Sequence, residues 1–164
     1  TAVLGLPPGL GEPFFGSVES RLSALLFSMP AVKGVEFGLG FGFGALRGSQ
    51  ANDPFRMQGA AIRTATNHNG GLNGGVTNAM PLLLRSVVKP TPSIFLEQDT
   101  VDYAARQNAR LSLKGRHDPC IAHRAAVVQD SLIALGLCDL LNQALGLAWQ
   151  NGPGWPKEAP WSTD

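Results

Sequence analysis

The sequence predicts an α+β domain, and three observations carry that prediction. Apolar residues at helical spacing mark two separate stretches, one beginning at Val18 and one at Ile121. Between them, the short apolar runs Val32–Phe37 and Leu82–Val88 are bounded by glycine and proline, as strands are. Turns punctuate the whole chain, which holds 20 glycines and 12 prolines in 164 residues.

Taken in order, Val18, Leu22, Leu25, Leu26 and Met29 keep helical spacing until Pro30 ends the run, which predicts a helix over residues 16–28. Val32–Phe37 reads as a strand. Gly38, Gly40, Gly42 and Gly44 then alternate with Leu39, Phe41, Phe43 and Ala45. In an extended chain the four glycines would share one face, open to close approach by another backbone or a flat ligand. This is not the G-x-G-x-x-G of a dinucleotide fold, because Phe43 stands at the third glycine's place. Residues 47–73 are polar, turn-rich and without apolar period, as expected of a functional or mobile loop. Leu82–Val88 has the form of a buried strand, and further short strands are expected at 94–96 and 110–114. The last element starts with Asp118-Pro119, an N-cap residue followed by a proline at the first helical position. Its pattern, Ile121, Ala125, Val128, Leu132 and Leu135, runs on through Leu141 and Leu145. Around residues 132–141 it is apolar on nearly every side, which predicts a central helix covered by other structure. Residues 1–150 thus read as one folded unit and 151–164 as an irregular, proline-rich tail.

Apolar residues at 44% and charged residues at 15% argue against disorder. The low charge also implies surface hidden against a partner, since about 25% is usual. A net charge of +1 excludes a general nucleic-acid binder. The excess of cations within 85–124 (Arg85, Lys89, Arg106, Arg110, Lys114, Arg116 and Arg124) suits small anions better than a polyanion. No uninterrupted apolar stretch reaches the roughly 18 residues of a membrane span, and the first residues lack the basic region of a signal peptide. Cys120 and Cys138, read on one helix, would lie about 27 Å apart and cannot bridge. Two free thiols fit a reducing compartment, the cytoplasm.

Three segments could carry chemistry. The glycine- and asparagine-rich loop 67–78 can turn backbone N–H groups toward an anion or a flat ring. Lys89-Pro90-Thr91-Pro92-Ser93 displays one cation and two hydroxyls on a stiffened turn. Gly115-Arg116-His117-Asp118-Pro119-Cys120 joins an anion fork, a titratable ring and a carboxylate at a helix start. Cys120 and His123 have ligand-like spacing but fall short of a tetrahedral set, so no metal is expected. No G-x-S-x-G or hydrolase triad is present.

Together these segments resemble the C-terminal portion of chorismate synthase. The runs that carry the resemblance are GLGEPFFG (9–16), PAVKGVEFGLGF (30–41), GSQAND (48–53), TNHNGGLNGGVTNAMP (66–81), KPTPSI (89–94) and GRHDPCIAHRA (115–125). The resemblance implies a β-α-β sandwich of antiparallel sheets around central helices, of which this chain would be the C-terminal half, within a homotetramer. It implies conversion of 5-enolpyruvylshikimate 3-phosphate to chorismate by 1,4-elimination of phosphate, with reduced FMN required although no net redox occurs. NADP is associated with the same family. By position, Ala31, Gly74, Lys89, Pro90, Thr91, Pro92, Ser93 and Arg116 match flavin-contacting stretches. Asp118 matches a carboxylate assisting proton removal through the flavin ring nitrogen, and Arg116 would also lie near the substrate phosphate. Val127, Asp130 and Ala79 depart from the family's usual Pro, Glu and Gly. The N-terminal half, with two catalytic histidines and the substrate-gripping arginines, has no counterpart here. The fragment is therefore expected to be inactive alone and to need that missing half as partner, with no nucleic acid or membrane. The alternative is a non-catalytic module that binds FMN or phosphate, or mediates assembly.

Overall fold

The computed structural model describes residues 1–151. It is α+β, with one three-stranded antiparallel sheet, three two-stranded hairpins and two long helices layered on one sheet face. The first helix, α1 (Val18–Phe27), starts where the Ser17 side chain accepts the Ser20 N–H at 3.0 Å, and it is trimmed at both ends relative to 16–28. Val18, Leu22 and Leu26, four residues apart, form its fully buried stripe.

The sheet has the order β1-β7-β2, with β1 at Ala2–Val3, β2 at Val32–Phe37 and β7 at Leu82–Val88. On β7, Leu82 and Leu84 are buried under the helices while the alternate Arg85 points outward. There Arg85 meets its cross-strand partner Glu36 at 2.8 Å.

The second long helix, α3 (Ala122–Leu145), lies against α1 through Ile133, Gly136, Leu137 and Leu140. A Cβ on Gly136 would sit 2.7 Å from Leu22 Cδ2 and from Leu25 Cδ1, so the glycine permits the close crossing. Arg21 closes the rim, 3.4 Å from Asp139 and 3.2 Å from Gln143. On the other flank the Ser86 hydroxyl donates to Gln129 Oε1, which ties β7 to α3.

Several expectations are corrected. The alternating glycine run does not extend: Gly40–Ala45 is a 3-10 turn, and the close backbone approach occurs only at Gly38, against His68 and Gly70. Residues 47–73 are not a bare loop. They hold a short helix α2 (Gly48–Ala51) and the hairpin of β3 (Phe55–Gln58) with β4 (Ala61–Thr64). Phe55 and Met57 alternate with Arg56 and Gln58 over four residues only, too short a run to announce the strand within a polar stretch. A tight hairpin, β5 (Leu72–Asn73) and β6 (Val76–Thr77), turns at Gly74 and Gly75, both at positive φ. No strand forms at 94–96. The hairpin that follows pairs β8 (Gln98–Asp102) with β9 (Gln107–Leu111), so the strand expected at 110–114 lies earlier.

Asp118 does not cap α3, which begins three residues after Pro119 with Ile121 at the N-cap. Cys120 consequently precedes the helix, and both thiols are free and exposed. Nor is α3 covered all round by the described residues, since Val127, Val128 and Leu135 are exposed. By length and composition alone α3 is apolar enough to cross a bilayer, although no uninterrupted apolar run marked it; its inner stripe instead packs on α1. The expected tail lies, Asn151 apart, outside the described residues.

The glycine run can be tested directly. Gly38→Ala forces a Cβ into the Asn69–Gly70 backbone at φ +56°, at a cost of about 2–4 kcal/mol. At Gly44, where nothing lies within 4 Å, alanine is expected to change stability by less than about 1 kcal/mol. Urea unfolding of the two variants checks the contrast.

Candidate functional site

Backbone connections gather one part of the expected site at the end of the β2–β7 ladder. Ala31 sits just before β2 at φ +68°, and its carbonyl accepts the Lys89 N–H at 2.7 Å. The chain then leaves the ladder as Pro90-Thr91-Pro92-Ser93, because neither proline can donate to a neighbouring strand. Lys89 is exposed, while Thr91 and Ser93 are half-buried. Gln98 Nε2 donates to Pro92 O at 3.3 Å and holds this turn to the base of the β8–β9 hairpin.

The hairpin also brings back residues 115–118. The His117 ring lies 6.0 Å from Phe95, centroid to centroid, so the segment bearing Arg116 and Asp118 adjoins the one that follows Ser93. Arg116 is exposed. Asp118 Oδ2 receives a hydrogen bond from Arg124 Nη1 at 2.9 Å, which aims the carboxylate instead of capping the helix. Both side chains are largely exposed, so the pair contributes less than about 1 kcal/mol. Ala31 and Lys89 thus meet directly, and the segment of Arg116 and Asp118 adjoins Phe95, two residues past Ser93.

Gly74 does not join them. Its hairpin lies at the start of α1, where Val18 N–H donates to Gly75 O at 3.0 Å. Ala31 follows the other end of that helix, whose ten residues span about 15 Å.

The loop carrying Gly74 is organised by a residue that the sequence did not single out. Asp53 is buried, and it accepts hydrogen bonds from Thr66 Oγ1 at 2.6 Å, His68 N–H at 2.9 Å and Asn69 N–H at 2.8 Å. The His68 ring Nδ1 is 3.8 Å from Oδ1, beyond hydrogen-bond range. Burial pushes the Asp53 carboxyl up, but the bonds from Asn69, Thr66 and His68, with the nearby imidazole, outweigh it and hold the group below 3.8. Asn67 adds the next tier, accepting from Gly71 N–H at 2.7 Å and donating to Pro81 O at 2.8 Å. Arg63 closes the far side by donating to Ala79 O. The only sequence signal for Asp53 is its place in GSQAND; its donors lie 13 to 16 residues later, beyond any local spacing rule.

Among the described residues no three His, Cys, Asp or Glu groups converge as a metal site. Cavities of a few hundred cubic ångströms open elsewhere, one of about 420 Å³ between Phe15, Leu25 and Leu135 along the α1–α3 groove.

Two expected outcomes follow from this geometry. Because folding lowers the Asp53 pKa, its contribution is complete above about pH 5 and is lost as pH falls through 3.9 and below. Denaturant titrations at pH 7 and pH 3.5 should show Asp53→Asn less stable than wild type at neutral pH, with the gap narrowing in acid. Ala79 occupies φ +68°, a conformation glycine adopts without strain, so Ala79→Gly should stabilise the chain by up to about 1 kcal/mol in thermal unfolding.

Comparison with known proteins agrees with the sequence motifs. The family profile described as chorismate synthase matches residues 1–141. Chorismate synthase of Dehalococcoides mccartyi strain BAV1 is 50% identical over 141 residues, covering 86% of this chain and 39% of that protein. The enzyme of Korarchaeum cryptofilum is 46% identical over 142 residues, covering 87% and 39%. That of Thermococcus kodakarensis is 50% identical over 136 residues, covering 83% and 38%. A crystal structure of chorismate synthase superposes with a TM-score of 0.69 at 30% identity, over 88% of this chain and 36% of the other. The chain thus spans about two fifths of the length of these relatives. Motif order, sequence identity and fold agree that the chain belongs to the chorismate synthase family.

Proposed function

We propose that this chain carries the flavin-side part of a chorismate synthase, a phosphate lyase of the shikimate pathway that serves aromatic amino acid synthesis. The reaction is the FMN-dependent anti-1,4-elimination of phosphate from 5-enolpyruvylshikimate 3-phosphate to give chorismate. The observation that carries this reading is the junction at Ala31 and Lys89, whose 2.7 Å backbone bond joins two segments 58 positions apart that both match flavin-contacting stretches.

The donor chemistry present fits a phosphorylated flavin at that end. Lys89 offers an exposed cation, Thr91 and Ser93 offer hydroxyls, and Arg116 can fork onto an anion. Reduced FMN, when bound, supplies electron density as phosphate departs. Arg116 stabilises the charge that develops on the leaving group. Asp118, aimed by Arg124, tunes the proton acceptor rather than taking the proton itself. Gly74, at the far end of α1, serves a second stretch of the site, which the remaining length of the enzyme or a neighbouring subunit completes.

In this reading the chain binds FMN but does not turn over substrate until the rest of the enzyme is supplied. The complete protein is a cytoplasmic homo-oligomer, a tetramer as the family resemblance implies. A flavin-fluorescence titration of the purified chain tests the first claim. FMN should bind, and Lys89→Ala or Arg116→Ala should weaken binding about tenfold or more without lowering thermal stability, since both side chains are exposed. A chain that takes no FMN overturns the flavin reading. Chorismate formation by the 164-residue chain alone overturns the claim of incompetence.

A further inference from the structure

We infer that Asp53 is the positioning residue of the 66–78 loop, holding it in a ligand-ready shape before any flavin or phosphate arrives; the ligand half of this inference rests on the proposed function. Two consecutive backbone amides, His68 and Asn69, converge on one carboxylate together with the Thr66 hydroxyl. Converging amides of this kind form a concavity that ordinarily takes an external anion. Here the chain fills it with its own side chain, none of which is exposed.

Only an ionised carboxylate can serve all three donors at once, because it accepts on both oxygens and donates nothing. An asparagine would turn an N–H₂ group toward at least one N–H or O–H. Burying a charge costs several kcal/mol unless it is fully bonded, and these three bonds meet that condition while fixing the positions of their donors.

Its consequences spread outward through the loop. Fixing His68 and Asn69 sets Gly70, whose backbone is pressed against Gly38 and whose carbonyl accepts the Leu83 N–H at 3.1 Å. Gly71 N–H is taken by Asn67 and its carbonyl by Asn78 N–H at 3.0 Å, which closes the base of the hairpin. At the tip, Gly74 is exposed and nothing lies within 4 Å of the position a Cβ would occupy, so its backbone stays open to a ligand. Of residues 66–75 only Leu72 belongs to the apolar core, so this part of the loop holds its shape by hydrogen bonds that depend on Asp53.

The test combines amide hydrogen exchange on the unliganded chain with FMN titration. Asp53→Asn should accelerate exchange at Gly71 and Asn78 at least tenfold more than at the amides of α1 and α3, which register only the fall in overall stability. Thr66→Val, a milder change should Asp53→Asn fail to fold, should give a smaller acceleration that Thr66→Ser reverses. FMN affinity should fall fivefold or more in Asp53→Asn, and follow the same order across the Thr66 variants. Unchanged loop exchange overturns the inference, and so does a loosened loop that binds FMN as tightly as wild type. A wild-type chain that takes no FMN removes the proposed function and the ligand half of this inference with it. The exchange measurement then still decides whether Asp53 sets the loop.

Discussion

Leu82 and Leu84 are enclosed beneath α1 on one face of β7, and this burial fixes the register of β7 against its neighbours. A slip of one residue would turn both leucines outward and Leu83 and Arg85 inward, exposing apolar area worth several kcal/mol and stranding a cation. The same register sets Glu36 opposite Arg85 and brings Lys89 N–H to the Ala31 carbonyl. Packing at the centre of the sheet therefore decides which segments meet at its end. The prolines that follow Lys89 then release the chain from the ladder with a cation and two hydroxyls displayed.

Two kinds of force hold the two ends of β7. Past Val88 the chain is fixed by ladder geometry and by contacts such as Phe95 with His117. Before Leu82, the glycine and asparagine loop is fixed by a nested set of hydrogen bonds around Asp53, Asn67 and Asn78. Apolar burial is diffuse and tolerates small shifts, whereas a carboxylate bonded to three donors defines one geometry. The division suits a scaffold whose core supplies stability and whose polar loop supplies shape.

Legibility in the sequence followed the range of the interactions. α1, β2 and β7 were readable because their signals are local: a four-residue apolar stripe, and apolar runs bounded by glycine and proline. The fold class was readable for the same reason. The β3–β4 and β8–β9 hairpins were missed or misplaced because their large apolar side chains, Phe55, Met57, Ile62 and Val101, remain exposed, and the alternation of Phe55 and Met57 covers only four residues of a polar stretch. Asp118-Pro119 looked like a helix start, but Asp118 pairs with Arg124 in the first turn of α3, and the helix begins at Ala122. Ala31 and Lys89 meet through the ladder, a long-range pairing that residue spacing does not show. Asp53 had no comparable local signal. Its importance exists only once residues 66–69 have folded back onto it.

The low charge content acquires a physical meaning on α3. A helix apolar on nearly every side belongs in an interior, yet the described residues cover only the side that faces α1 and the sheet. Val127, Val128 and Leu135 stay exposed, and so does Phe15, which lines the α1–α3 groove. Apolar area left in water contributes nothing to folding, at about 25 cal/mol for each square ångström that a covering surface would remove. The relatives devote about three fifths of their length to sequence outside the matched region, so they hold ample chain to cover the corresponding face. The proportion of charged residues, 15%, is then unsurprising. α3 itself matches the length and composition of a membrane span while packing, on its inner side, as a core helix does.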